Sequence, residues 1–344
     1  MIVLGIESSC DETSAAVLVD GVLRSNIVSS QYVHEKYGGV VPELASRAHL
    51  RSIMPIIDEA LRTAHVGAHD LGAIAATQGP GLIGSLLVGL NTGKAMALAL
   101  GVPFLPINHL EAHMFAPFLG PEPPDLPFLA LIVSGGHTLL IRVESLGVYD
   151  VLGGTIDDAA GEAFDKVAKM LDLGFPGGPE IDRRAALGDP TAVTLPRPYR
   201  DSGDDNFSFS GLKTAVLYHL RRTGAIGTGT PPPSEAVRND LCASFQRAVV
   251  DVLAHKLFRA AARLEIRDLV LAGGVSANRE LRQTLAARAE REHRRLHVPA
   301  AAYSTDNGAM VAMLAWLRLR AGAMGTLDAP AFARNTHRFD RATA

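Results

Sequence analysis

The chain has 344 residues, of which 47% are hydrophobic and 20% charged, with a formal net charge of −3. That length suits two domains of ordinary size, and the composition describes a soluble globular protein with ample core. The charge excludes a protein coated in basic surface but leaves room for a nucleic-acid substrate held by one local patch, and two cysteines (Cys10 and Cys242) build no disulfide framework and fit a reducing cytoplasm.

The first residues are strand-like, with no basic region and no cleavage site, so no secretory signal is expected. Residues 2–8, 15–19 and 22–30 predict three short strands, with Asp20-Gly21 as a hairpin turn. A helix follows over 42–64, with Pro42 suited to its first turn. A strand at 73–77, a helix over 81–100 and a strand at 104–107 complete the first half. The most apolar stretch, 81–105, is broken by Asn91, Lys94 and Pro103 and carries several glycines, so no membrane span is expected. The pattern then restarts. Strands are predicted at 128–133, 138–143 and 148–152, helices at 157–171 and 234–264, a strand at 269–271, a helix from Asn278, a strand at 297–298 and a last helix over 307–320.

Two copies of strand-strand-strand-helix-strand-helix predict an α/β protein of two ribonuclease-H-like halves facing each other across a cleft. The expected division is 1–108 for the first half, joined by the C-terminal segment 307–330, and 109–306 for the second half, with the metal and nucleotide site. Residues 172–234 fall outside the repeat. They are rich in Gly, Pro, Asp and Arg and end in a Gly/Pro run over 224–233, which reads as an insertion with a flexible tail. Gly177 and Gly178 suggest that part of it is a functional lip rather than a solvated excursion.

Asn108-His109-Leu110-Glu111-Ala112-His113 pairs two histidines at i and i+4 after a strand. If it opens a helix, both imidazoles stack on one face, where they could share a cation or simply pack. A third ligand is available at Asp306 in Ser304-Thr305-Asp306-Asn307. The spacing is not the zinc-protease signature, because Glu111 stands two residues from His109 and would face elsewhere. Asp11 and Glu12 in Ser8-Ser9-Cys10-Asp11-Glu12-Thr13 could orient a cation or water, or merely decorate a hairpin. Ser134, Gly135, Gly136, His137 and Thr138 occupy the equivalent turn of the second half, where glycines admit a ligand to the backbone and hydroxyls can donate. Leu271 to Asn278, with its Gly273-Gly274 pair, joins a strand to a helix and suits a nucleotide or its phosphate. Asp165 could accept from a ligand hydroxyl or amine, and Gly178 followed by Asp182 offers a backbone approach and then a carboxylate.

Taken together, SSCDET, NHLEAH, SGGHT, GEAFDK, PGGP, FSFSGLKT, AGGVSAN and STDN, in this order, closely resemble the TsaD/Gcp family. These are tRNA threonylcarbamoyladenosine synthase subunits, formerly described as sialoglycoprotein endopeptidases. The resemblance runs from Ile2 to Arg320, and the SSCDET opening is of the bacterial type. It implies the actin, sugar-kinase and chaperone-ATPase fold. It also implies transfer of a threonylcarbamoyl group from threonylcarbamoyl-adenylate to N6 of the adenosine 3′ of the anticodon in tRNAs reading ANN codons, with release of AMP. The implied ligands of one divalent metal, iron ahead of zinc, are His109, His113 and Asp306. Implied substrate contacts are Ser134, Gly135, Gly136, His137, Thr138, Asp165, Gly178, Asp182 and Asn278, with Asp11 and Glu12 near the reacting group. Implied partners are tRNA, a paralogous TsaB-like subunit and a small TsaE-like ATPase, all in the cytoplasm. Ser304 departs from the family, where many members carry Cys. The ligand is the aspartate two residues on, so the metal set is unaffected.

Other readings use the same residues. A kinase or chaperone-type ATPase would need no NHLEAH or STDN, a metalloprotease wants an adjacent glutamate base, and a scaffold paralogue would not need to retain the ligands. Fold alone does not choose among them. Arg183, Arg184, Arg197, Arg200, Arg221 and Arg222 form the densest basic group outside the predicted helices, to meet tRNA phosphates or solvent.

Overall fold

A strand covered on both faces is apolar at nearly every position, and Ile2–Glu7 (β1) is one, with Val3, Leu4 and Ile6 fully buried. The computed structural model describes residues 1–31, 34, 37–224, 233–323 and 325–334. In it β1 pairs antiparallel with Glu12–Val19 (β2), which pairs antiparallel with Val22–Ser30 (β3). The helix Pro42–Thr63 (α1) precedes Ala73–Gly79 (β4), which joins β1 in parallel. The helix Ile83–Leu100 (α2) leads to Phe104–Asn108 (β5), parallel to β4, and then to the short helix His109–Phe115 (α3). The sheet order is β3-β2-β1-β4-β5. By length and composition α2 could cross a membrane, but it packs on α1 and β4 with Leu86, Leu90 and Ala97 buried.

The same plan recurs. Phe128–Val133 (β6), Thr138–Ser145 (β7) and Val148–Gly154 (β8) form an antiparallel meander, and Asp268–Ala272 (β9) and Arg295–His297 (β10) add in parallel. The order is β10-β9-β6-β7-β8. Position by position this repeats the first sheet, so the internal repeat read from the sequence is present. Its helices are Ala160–Met170 (α4), Gly177–Ala185 (α5), Ser210–Arg222 (α6), Glu235–Arg263 (α7) and Arg279–Arg291 (α8). The last helix, Gly308–Arg320 (α9), packs on β1 and β2.

Four expectations change. The chain divides into Met1–Pro123 with the described residues from Pro299 on, and Pro124–Val298. The expected 109–306 boundary therefore shifts at both ends. Helix α3 belongs with the first sheet because Glu111 is buried beside Arg318 of α9. Residues 172–234, expected as an insertion with a flexible tail, carry two helices of the core: Ile181 of α5 and Leu212, Val216 and Leu220 of α6 are fully buried in the second unit. Gly177-Gly178-Pro179 and a polar stretch hid these helices, since Gly and Pro read as loop until tertiary packing overrides propensity. The Gly/Pro run beyond Gly224 lies, over 225–232, outside the described residues. Helix α4 begins at Ala160 rather than residue 157, because Asp157 is used as a loop anchor. Its carboxylate accepts from the Ser208 and Ser210 hydroxyls at 2.5 and 2.6 Å and from Phe209 N–H at 2.8 Å. Strand β10 ends at His297 instead of beginning there, with Arg295 in register with Asp268.

Candidate metal centre and ligand loops

Asn108 ends β5 and caps α3, its side-chain oxygen accepting Leu110 N–H at 2.9 Å and Glu111 N–H at 3.2 Å. This cap sets the phase of a single helical stretch that presents His109 and His113 one turn apart. Their ring centroids lie 4.7 Å apart, nearly perpendicular. Asn307 caps α9 in the same way, accepting Met310 N–H at 3.1 Å, so Asp306 stands just ahead of a fixed helix start. The three residues converge. Asp306 Oδ1 is 3.0 Å from His113 Nε2 and 3.6 Å from His109 Nε2, and one donor atom from each lies within 4.8 Å of the others.

Burial disfavours charge here, yet neighbouring groups favour the charged forms of Asp306 and His109. Burial pushes Asp306 up, and the two imidazoles overcome this and hold its carboxyl well below the usual range. Burial pushes His109 down, and the carboxylates of Asp306 and Glu7 outweigh it, raising the ring to about 9. Two imidazoles and one carboxylate within reach of one point are a donor set that suits a borderline divalent metal. His109 Nδ1 also faces the Glu7 carboxylate at 3.3 Å, the arrangement that orients a ligating histidine.

Glu111 takes no part in this cluster. It is buried and paired with Arg318, which ties α3 to α9 and so ties the histidines to the helix behind Asp306. Glu12 is pushed up to about 9, first by burial and then by the charges of Asp306 and Asp11, and a cation alongside would favour its ionised form. Burial likewise raises the Cys10 thiol.

The remaining expected site residues lie in the second unit. Ser134 N–H donates to His137 C=O at 2.8 Å and Ser134 Oγ accepts His137 N–H at 3.1 Å, closing the turn on itself. Gly135 and Gly136 border open space, as do Gly178 and Gly274: a Cβ at any of them would meet nothing within 4 Å. Gly273 is different. It has φ +86° and abuts Val133 O, so it is required by the fold. Thr138 is fully buried and its hydroxyl oxygen accepts Ala160 N–H at 2.9 Å, so it shapes the start of α4. Asp165, raised by burial, accepts Gly177 N–H at 2.8 Å. Asp182 is paired with Arg279 at 2.7 Å. Asn278 caps α8 through Leu281 N–H at 2.9 Å and donates to Gln246 at 2.6 Å. Sequence reasoning missed Glu7, Arg279 and Gln246. Of these only Glu7 carried a signal, as a carboxylate closing an apolar strand.

Two sheets of one repeated order define the class of actin-like ATPase folds. Component A of the (R)-2-hydroxyglutaryl-CoA dehydratase of Acidaminococcus fermentans shares this fold, with a TM-score of 0.54 and 19% identity over 93% of this chain and 99% of that one. The model of the family described as TsaD, tRNA N6-adenosine threonylcarbamoyltransferase, matches residues 21–313. Two relatives bear that same name. One, from Paraburkholderia xenovorans, is 51% identical, covering 93% of each chain. The other, from Geotalea uraniireducens, is 54% identical, covering 91% of this chain and 90% of its own. The chain belongs to the tRNA N6-adenosine threonylcarbamoyltransferase family.

Proposed function

We propose that this chain transfers the threonylcarbamoyl group of threonylcarbamoyl-adenylate to N6 of the adenosine 3′ of the anticodon in tRNAs reading ANN codons. The N6 amine attacks the carbonyl carbon, the bond from that carbon to the phosphate oxygen breaks, AMP leaves and N6 loses a proton. Membership of the family carries this reading, and the convergence of His109, His113 and Asp306 supports it. A bare kinase or ATPase of the same fold has no use for that trio. The test is to incubate the protein with its partners, unmodified tRNA, ATP, threonine, bicarbonate and the adenylate-forming enzyme, then weigh the nucleosides. No modified adenosine in the complete mixture would defeat the proposal.

His109, His113 and Asp306 would hold one divalent metal, iron or zinc. Bound there, it supplies a Lewis acid for carbonyl or phosphate oxygens. Glu12, at the start of β2 and raised by burial and by the charges of Asp306 and Asp11, would serve near these residues as a proton-holding group, with Asp11 just before it in the turn. The substrate is already activated, so the remaining residues bind and orient. Gly135, Gly136, Gly178 and Gly274 leave space for the adenylate against backbone, with Ser134, His137, Asp165, Asp182 and Asn278 as polar contacts and Thr138 shaping the turn. Because a Cβ at Gly136 meets nothing within 4 Å, Gly136→Val should fold with the parent's melting temperature yet bind the adenylate at least tenfold more weakly. Calorimetric titration showing parental affinity would remove this loop from the binding site.

The expected partners are a TsaB-like paralogue and a TsaE-like ATPase. Helices α1 and α2 pack together and expose Leu50 with Met54, and Ile83 with Leu87, each pair at i,i+4. Such a face suits a paralogous subunit. The free thiols Cys10 and Cys242 and a tRNA substrate suit the cytoplasm. The arginines divide into two groups. Arg183 and Arg184 lie in α5 on Glu180, Arg197 binds Asp251 at 2.7 Å and Arg200 binds Asp201 at 3.1 Å, so their charge is balanced locally. Arg221 and Arg222 are exposed in the last turn of α6, and we assign the phosphate contacts to them. Measured with the partners present, an Arg221→Ala/Arg222→Ala protein should bind tRNA more weakly, with a log–log salt slope smaller by roughly one unit per lost contact. Arg197→Ala should leave that slope unchanged. The opposite ranking would return the contact to Arg197.

A further inference from the structure

Glu7 closes β1 with its side chain wholly enclosed. A carboxylate in such a place persists only where donors occupy its oxygens. Three do. Ser9 N–H donates to Oε1 at 2.5 Å, the Thr77 hydroxyl donates to Oε2 at 2.6 Å, and His109 Nδ1 lies 3.3 Å from the same Oε2. Glu7 is thus an acceptor on every side, and the His109 nitrogen facing it must carry a hydrogen. In an imidazole, the partner of one nitrogen fixes what the other can do. With Nδ1–H turned to Glu7, the nitrogen left to ligate is Nε2, and Nε2 is the one facing Asp306 at 3.6 Å.

We propose that Glu7 is a positioning residue of the metal centre, holding His109 with its hydrogen on Nδ1 so that Nε2 is the ligating atom. This rests on the metal reading of His109, His113 and Asp306. Ser9 reinforces the arrangement. Its hydroxyl donates towards Asp306 Oδ2 at 3.5 Å, which leaves its oxygen to accept from His109 Nδ1 at 3.3 Å. The two histidines are therefore unequal. His113 Nδ1 is buried and has no hydrogen-bond partner among the described residues, so only His109 is held by a carboxylate from behind.

Glu7→Gln tests this because it preserves shape and reverses one donor. Ser9 N–H still requires an oxygen at the Oε1 position, so the amide NH2 must fall at the Oε2 position. There it offers His109 Nδ1 a hydrogen, which favours the form carrying its own hydrogen on Nε2, the nitrogen that should ligate. Metal-free parent, Glu7→Gln and Ser9→Ala proteins would be titrated with Zn2+ against a chromophoric chelator. The ring nitrogens of the zinc-loaded proteins would be read by 15N NMR. We expect one zinc per parent chain, an affinity about 10–100-fold lower for Glu7→Gln, as for loss of other supporting groups, and a much smaller change for Ser9→Ala. A parent that binds no zinc defeats the metal reading itself. A parent that binds zinc while Glu7→Gln matches it in affinity and ring protonation overturns the role of Glu7 alone, as does a larger loss for Ser9→Ala. If Glu7→Gln fails to fold, the parent spectrum decides: zinc on His109 Nε2 with hydrogen on Nδ1 upholds the proposal, and zinc on Nδ1 ends it.

Discussion

A His113→Ala protein should lose its metal and its transfer activity while remaining folded. His113 Nε2 lies 3.0 Å from Asp306 Oδ1 and its ring is almost fully enclosed. Without it only His109 and Asp306 remain, and two donors do not hold a divalent ion against water at ordinary concentrations. The affinity loss should exceed the roughly 10–100-fold that loss of a supporting partner costs. The fold should tolerate the change, since His113 Nδ1 has no hydrogen-bond partner among the described residues to forfeit. The cost combines a small cavity with the lost Nε2 contact to the Asp306 carboxylate, on the order of 3 kcal/mol together. Elemental analysis after dialysis should find the variant metal-free, and nucleoside mass analysis should find no threonylcarbamoyladenosine. Full metal occupancy in the variant would take His113 out of the ligand set.

Gly5→Val should damage stability and metal binding together. Gly5 lies in the middle of β1, where α9 crosses it at backbone distance. A Cβ there would stand 2.4 Å from Gly308 O and 2.5 Å from Ala312 N, and these are main-chain atoms that cannot rotate away. Gly308 answers from the other side: its own Cβ would stand 2.8 Å from Gly5 O and 2.7 Å from Ala16 N. Valine would force the start of α9 off the sheet, at a cost of about 3 kcal/mol or more for overpacking against backbone. In a unit of this size that lowers the melting temperature by roughly 6–12 °C. Asp306 sits two residues before Gly308, so the same displacement draws the carboxylate away from His109 and His113. Thermal denaturation and zinc titration should therefore fail in parallel, in contrast to Gly136→Val. Parental stability with parental zinc affinity would show that the contact between β1 and α9 is looser than it looks.

Much of the first unit was legible because its signals are local. The apolar run of β1, the Asp20-Gly21 turn and the i,i+4 histidines depend on periods of two and of three to four residues. A cap such as Asn108 acts within one turn. The helices α5 and α6 were not legible, because Gly177-Gly178-Pro179 and FSFSGLKT acquire helical form only when Ile181, Leu212 and Val216 are buried against α7. Nor could sequence separate glycines of one kind from another. Gly136 and Gly273 look alike in a row of letters, yet one borders open space and the other is held at φ +86° against Val133.

The sequence by itself determined the repeated strand and helix order, the motif set and therefore the family, since each follows from residue type and spacing along the chain. Tertiary structure alone decided which far-separated groups share charge. It joined Asp306 to two histidines almost two hundred residues away and set Glu7 behind one of them. It also committed Asp182 to Arg279 and Arg197 to Asp251, and it left Arg221 and Arg222 exposed. Hydrogen bonds and ion pairs act over a few ångströms, and only the folding of both sheets brings these residues within that range.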